Sequence, residues 1–222
     1  MQAFNLAEIY RCPVFLAANK EISMTRETID LKALELPLNK TRKAASEKKP
    51  YIPFEAFKNS PTPPFLPIGA KQPVRQTSST HGPDGHITID SKTIAANQKR
   101  LMQKIEHAIE KVVFYESYHA PLARVLIITY GISSRAAKTL FFRKNRQADF
   151  SLLILKTLWP IPKELILKEA LAVDRIVVVE MNLGQYVGEI QRLLPQKKID
   201  FLGQMDGELI RPDQIIEVID HG

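Results

Sequence analysis

The chain has 222 residues, 45% of them hydrophobic, and a formal net charge of +7. That length and apolar content are enough for a real core and exclude a disordered chain. Its single cysteine, Cys12, excludes an internal disulfide framework and a Cys-ligated iron–sulfur cluster. No stretch approaches the ~20 apolar residues needed to span a bilayer, and the start MQAFNLAEIYR lacks a signal-peptide pattern. A reducing, cytoplasmic setting without membrane contact is the expectation.

In chain order, Ala3, Phe4, Leu6, Ala7 and Tyr10 recur at helical spacing, CPVFLAA reads as a short strand, and Glu21 to Asp30 is compatible with helix. A lone helix and strand cannot form an independent sheet. Residues 1–35 therefore read as the tail of a domain whose other strands lie elsewhere. Cys12, in an apolar run before Pro13, reads as a buried, inert thiol.

Residues 36–90 change character. Nine of the fifteen prolines fall there, with Tyr51, Phe54, Phe57 and Phe65 scattered among them and no sustained period. That composition predicts an extended, polyproline-like linker lying across a protein surface. Between Pro37 and Lys104, twelve basic residues face four acidic ones. The excess suits a solvated segment or docking on an acidic partner. Nucleic acid is not expected, because no helix shows a basic face interleaved with aromatics. The turn STHGPDGH has strong turn chemistry, but His81, Asp84 and His86 match no standard metal-ligand spacing.

Residues 91–222 read as one α/β domain. Ser91 to Tyr115 is a helix capped by Asp90 or Ser91, with Ile94, Leu101, Ile105, Ala108, Ile109 and Val112 as its apolar stripe. Then come a strand at RVLIITYG, a helix over Ser133 to Asn145, a strand at DFSLLILKTLWP and a helix over Lys163 to Ala172. A strand at RIVVVEM, a helix over Gln185 to Leu194, a short strand at IDFLGQ and a helix over Pro212 to Ile219 complete it. Four apolar strands joined by helices predict a three-layer, mostly parallel sheet with helices on both faces.

In such a fold, the turns at the carboxyl edge of the sheet meet ligands and partners. Two turns qualify, YGISSRAAK with Gly131, Ser133, Ser134 and Arg135, and EMNLGQ with Asn182, Gly184 and Gln185. Both open helices, where an anion can sit, yet G-x-G-x-x-G and G-x-x-x-x-G-K-[ST] are absent. Ser133 and Ser134 read as helix caps. Glu180 could act as a general acid or base if buried, but no second carboxylate or histidine lies at a predictable distance. Trp159 reads as a plug over the sheet edge or an interface anchor. His107, His119 and His221 neighbour no Ser or Cys in a recognisable elbow. The sequence offers no self-contained active site.

Four segments in fixed order, YGISSRAAK, TLWPIPKELI, VVVEMNLGQYVGEI and LGQMDGELIRPDQII, resemble the carboxyl-terminal domain of the alpha subunit of 2-oxoacid:ferredoxin oxidoreductases of the 2-oxoglutarate type. Upstream, AFNLAEIYRCPVFLAANKEISMTRETI resembles the end of that subunit's pyrimidine-binding domain, and the Pro-rich segment with STHGPDG resembles its interdomain linker. One departure is local: family members usually carry an Asp–Glu pair where this chain reads AANKEIS.

The resemblance implies a transketolase C-terminal-like domain within an enzyme that converts a 2-oxoacid and CoA to acyl-CoA and CO2 and passes electrons to ferredoxin. Thiamine diphosphate, magnesium and an iron–sulfur cluster are implied for the assembled complex and none for this chain alone. The implied partners are the beta subunit and the pyrimidine-binding region, with ferredoxin and CoA at the level of the complex. No catalytic residue carries over. Gly131, Ser133, Ser134, Arg135, Trp159, Asn182, Gly184 and Gln185 are expected at an interface or near the site. The alternatives are an independent thiamine diphosphate enzyme of transketolase type and a non-catalytic folded gene fragment.

Overall fold

A computed structural model describes residues 1–46, 50–55, 62–143 and 150–221; the expectations at Phe57, Asn145 and Asp149 lie outside them. The chain divides into two compact units: Met1–Ala17 with Glu27–Val112, and Ala18–Arg26 with Val113–Gly222.

The first unit has one long helix and much extended chain. Helix α1 (Gln2–Tyr10) precedes the Pro-rich segment, and α3 (Ser91–Glu106) and α4 (Ile109–Val112) follow it. Proline supplies a carbonyl but no N–H, so a Pro-rich chain brings surplus acceptors. Arg11 answers this by directing one guanidinium nitrogen at the carbonyls of Pro53, Pro63 and Pro64, 3.1–3.4 Å away. The buried Asn5 side chain works similarly, donating to Leu38 O at 2.9 Å and accepting from Lys40 N at 2.9 Å. Arg42 grips Glu8 through two nitrogens and lies over the Phe65 ring at 4.7 Å. Asp90 caps α3 by accepting from Thr93 N.

The second unit contains α2 (Lys20–Met24) and a five-stranded sheet: β1 (Tyr115–Tyr118), β2 (Val125–Tyr130), β3 (Phe150–Leu155), β4 (Arg175–Glu180) and β5 (Lys198–Gly203). The spatial order is β1-β3-β2-β4-β5. β1 runs antiparallel to β3, and the other pairs are parallel. Every residue of β3 is buried, as are the inner residues of β2 and all but the first of β4. Both faces of these strands are therefore covered, which is what their unbroken apolar runs require. Helices α5 (Ser133–Phe141) and α8 (Pro212–His221) cover one face through Ala137, Leu140 and Ile215. Helices α6 (Lys163–Ala170) and α7 (Gln185–Leu193) cover the other through Ile166, Ala170, Val187 and Ile190.

Four expectations need correction. CPVFLAA forms no strand: Phe15 and Leu16 are exposed and no described segment pairs with them, and an isolated strand has nothing to bond its backbone groups. The helix over Glu21 to Asp30 shortens to five residues, since a short polar segment has too little apolar face to stabilise it. The helix from Ser91 ends at Glu106 instead of running to Tyr115. Its last expected residue, Tyr115, belongs to β1, a fifth strand made by pairing Tyr115–Tyr118 with Leu152–Leu155. Aromatic residues on a half-buried pleated surface favour that outcome over local helix propensity.

Candidate functional site at the carboxyl edge of the sheet

β2 and β4 are parallel neighbours whose connections diverge. The chain leaves β2 through α5 to β3 on one side, and leaves β4 through α7 to β5 on the other. Such a reversal opens the crevice in which doubly wound folds hold ligands. The parallel register places the turns after β2, β3 and β4 on this edge. It thereby gathers Gly131, Ser133, Ser134, Arg135, Trp159, Asn182, Gly184 and Gln185 along one side of the sheet.

The crevice is organised around a carboxylate. Glu180, the last residue of β4, is fully buried. Its Oε2 accepts from Tyr130 Oη at 2.6 Å, Asn182 Nδ2 at 2.8 Å and Tyr186 N at 3.2 Å, and its Oε1 accepts from Val187 N at 3.0 Å. Two of these donors are backbone amides in the first turn of α7. A helix amino terminus presents unpaired N–H groups and a partial positive charge. An acidic side chain there is held as a bound phosphate would be. Glu180 thus fills from within the position a phosphate would take. It serves as a structural acceptor, and the acid–base role weighed for it has no open face.

Asn182 completes the turn. Its Oδ1 accepts from Gly184 N at 2.8 Å and Gln185 N at 3.3 Å, while its Nδ2 also reaches Tyr130 Oη at 2.7 Å. Gly184 adopts φ 96°, a left-handed conformation open to glycine at little cost. Gln185 Oε1 accepts from Leu183 N at 3.1 Å. The Tyr130 phenol is pushed above its ordinary value by burial and by its bond to Glu180. The Tyr186 phenol is pushed up by burial, then by Glu189 and Glu180. The Tyr186 hydroxyl is buried with no hydrogen-bond partner among the described residues, and its ring packs edge-on against Tyr130 with centroids 5.6 Å apart.

The first turn is tied differently. Gly131 has φ 58°, and a Cβ built on it would collide with the Asn19 side-chain oxygen. That oxygen accepts from Ile132 N at 3.0 Å. Ser134 Oγ donates to Gly131 O at 2.7 Å. Neither serine caps α5, contrary to expectation: the cap position belongs to Ile132, which has no side-chain acceptor, and Asn19 serves its amide instead. Ser133 is buried. Trp159 is 71% exposed, which removes the plug reading and leaves a surface aromatic.

The sequence reading missed Tyr130, Tyr186 and Asn19. An acidic residue a few positions before a helix start was the available signal for the Glu180 network. Asn19 gave none, since it lies 113 residues from its partner.

No described group of three or more His, Cys, Asp or Glu could hold a metal ion. His81 stacks on Phe54 at 3.8 Å, while Asp84 and His86 pair with one another. The α7 amides engaged by Glu180 and the Ile132 amide engaged by Asn19 are not offered to a diphosphate. The residues of this edge do not fit such a group, and no chemical step is assigned to them.

Residues 123–215 match the family described as pyruvate:ferredoxin oxidoreductase core domain II. The 2-oxoglutarate synthase subunit KorA of Methanothermobacter marburgensis is 30% identical over 99% of this chain and 59% of its own length. That of Methanocaldococcus jannaschii is 30% identical over 97% of this chain and 57% of its own. The chain therefore spans a little over half the length of these relatives. A solved 2-oxoglutarate:ferredoxin oxidoreductase from Magnetococcus marinus, with 2-oxoglutarate, coenzyme A and succinyl-CoA bound, matches with a TM-score of 0.84. That match covers 97% of this chain and 38% of the other at 18% identity, a likeness of fold.

Proposed function

We propose, from the premise that this chain is similar over nearly its whole length to alpha subunits of 2-oxoacid:ferredoxin oxidoreductases, that it is a structural and assembly part of such an enzyme. The complex would convert a 2-oxoacid, with 2-oxoglutarate as the first candidate, and CoA to acyl-CoA and CO2 while reducing ferredoxin. Its thiamine diphosphate, magnesium and iron–sulfur cluster would be held by the beta subunit and the remaining regions. Within this chain, residues 1–35 would be the tail of a pyrimidine-binding domain, residues 36–90 the interdomain linker and residues 91–222 the transketolase C-terminal-like domain. The cytoplasm is the compartment that suits a ferredoxin-linked enzyme with one free thiol.

The observation that carries this reading is Glu180. A doubly wound domain whose crevice is filled by its own carboxylate, with exposed Trp159 and Leu183 on the turns beside it, presents a finished surface to another polypeptide. The α7 amides in that crevice are engaged from within by Glu180. No described helix is long and apolar enough to cross a membrane.

Affinity purification of the chain from its native host tests the assembly role. Stoichiometric recovery of a beta subunit and a pyrimidine-binding polypeptide, with 2-oxoacid-dependent ferredoxin reduction by the mixture, is the expected result. A partner-free monomer in the native extract would refute it. Thiamine diphosphate binding by the isolated chain would instead favour the independent transketolase-type enzyme.

A further inference from the structure

A cavity of about 900 Å³ opens in the first unit between α1, the segment around Pro37–Lys40 and the α3–α4 junction. Its volume is within the range of sites for small organic ligands. Leu6, Tyr10 and Leu38 form an apolar wall, while Lys40, Lys104 and Lys111 bring three ammonium groups. Among the described residues no Asp or Glu lines it.

Lys104 is the unusual member. It is only 6% exposed as a residue, yet its ammonium is not among the fully buried polar atoms left without a partner, and the residue lines the cavity. Burial, opposed by nearby Cys12 and reinforced by the cationic Arg100 and Arg11, holds its pKa below the ordinary value. An ammonium on a largely buried side chain among like charges is stabilised by an anion placed in the cavity it lines. Lys40 and Lys111 are exposed and so placed to meet the same anion at the mouth.

We propose that this cavity binds a small anion carrying two or more phosphoryl groups, with Lys104 at its floor and Lys40 and Lys111 at its rim. The donor set decides the class. Among the described residues no guanidinium lines the cavity, so recognition rests on lysine ammoniums and not on a planar two-nitrogen fork. Lysine ammoniums act as point charges, each able to direct three donors at phosphoryl oxygens. No acidic side chain among the described lining residues repels a multiply charged ligand.

Calorimetric titration of the full 222-residue chain with inorganic pyrophosphate tests the proposal, with citrate as a polycarboxylate comparison. Binding should be saturable, should weaken as salt is raised, and should exceed citrate binding. Lys104→Met should weaken it by about tenfold or more, and Lys104→Arg should restore part of the loss. Lys198→Met, on the exposed start of β5, should leave it unchanged. If Lys104→Met fails to fold, the double change Lys40→Met with Lys111→Met, confined to exposed positions, gives the same reading. No heat with pyrophosphate, equal affinity for citrate, or full binding in the lysine variants that fold would overturn the proposal.

Discussion

The Tyr130 hydroxyl donates to the Glu180 carboxylate at 2.6 Å across two neighbouring parallel strands, joining the ends of β2 and β4 at the point where their connections part. The same carboxylate anchors the first turn of α7. One buried charge therefore fixes two strands and a helix. Glu180→Ala should destabilise the chain by roughly 2–4 kcal/mol, because it leaves buried donors without an acceptor. Tyr130→Phe should cost about 1–2 kcal/mol. Urea unfolding followed by circular dichroism measures both, and a Glu180→Ala loss under ~1 kcal/mol would contradict the arrangement.

Alkaline titration offers a second check. The Tyr130 and Tyr186 phenols have folded-state pKa values raised above the ordinary 10.0. A group raised in this way retains its proton in the fold after the unfolded chain has lost it, so stability declines as pH rises above ~10. Below that pH the contribution is complete. Spectrophotometric titration should show these two tyrosines ionising late, together with unfolding, and Tyr130→Phe should remove one of the late phenols.

At the opposite end of the pH scale, Glu116 on β1 accepts from Lys138, Lys156 and Tyr118, which lower its carboxyl from 4.5 to about 2. A lowered carboxyl contributes stability above its unfolded value, and that stability is lost as pH falls from about 4.5 through 2. The group is partly exposed, so solvent screening limits each ion pair to roughly 0.5–1 kcal/mol. Glu116→Gln should be less stable at pH 7 and indistinguishable near pH 2. Added salt should shrink the difference at neutral pH. Thermal melts across that range read it directly.

Gly131 and Asn19 make a coupled pair. Gly131→Ala places a methyl group at φ 58° against the Asn19 oxygen, and should cost about 1–3 kcal/mol. In an Asn19→Ala background the steric part disappears and only the backbone part remains. A double-mutant cycle should therefore give a coupling energy of about 0.5 kcal/mol or more, and strict additivity would show that the two do not meet.

Trp159 separates stability from assembly. At 71% exposed, its replacement by alanine should change the unfolding free energy by less than ~0.5 kcal/mol. If it anchors a partner, association should weaken by about 2 kcal/mol or more. Parallel unfolding and pull-down measurements decide it, and a large loss of fold stability would contradict the exposed placement.

The sequence by itself determined the sheet-forming part of this protein. The continuous apolar runs around Leu126, Leu153 and Val177 could be satisfied only by coverage on both faces, and the intervening amphipathic segments supplied it. The turns at Gly131 and Gly184 were legible for the same local reason, since glycine and small polar residues mark the strand-to-helix exits. What the turns do was decided only in three dimensions. Glu180 reads alone as a free acid, and becomes a structural anion because the parallel register sets Tyr130 beside it and the fold of the exit turn brings the α7 amides to its oxygens. Asn19 and Tyr115–Tyr118 were decided in the same way. Their partners are distant in sequence, and burial and pairing between distant segments leave no local period to read.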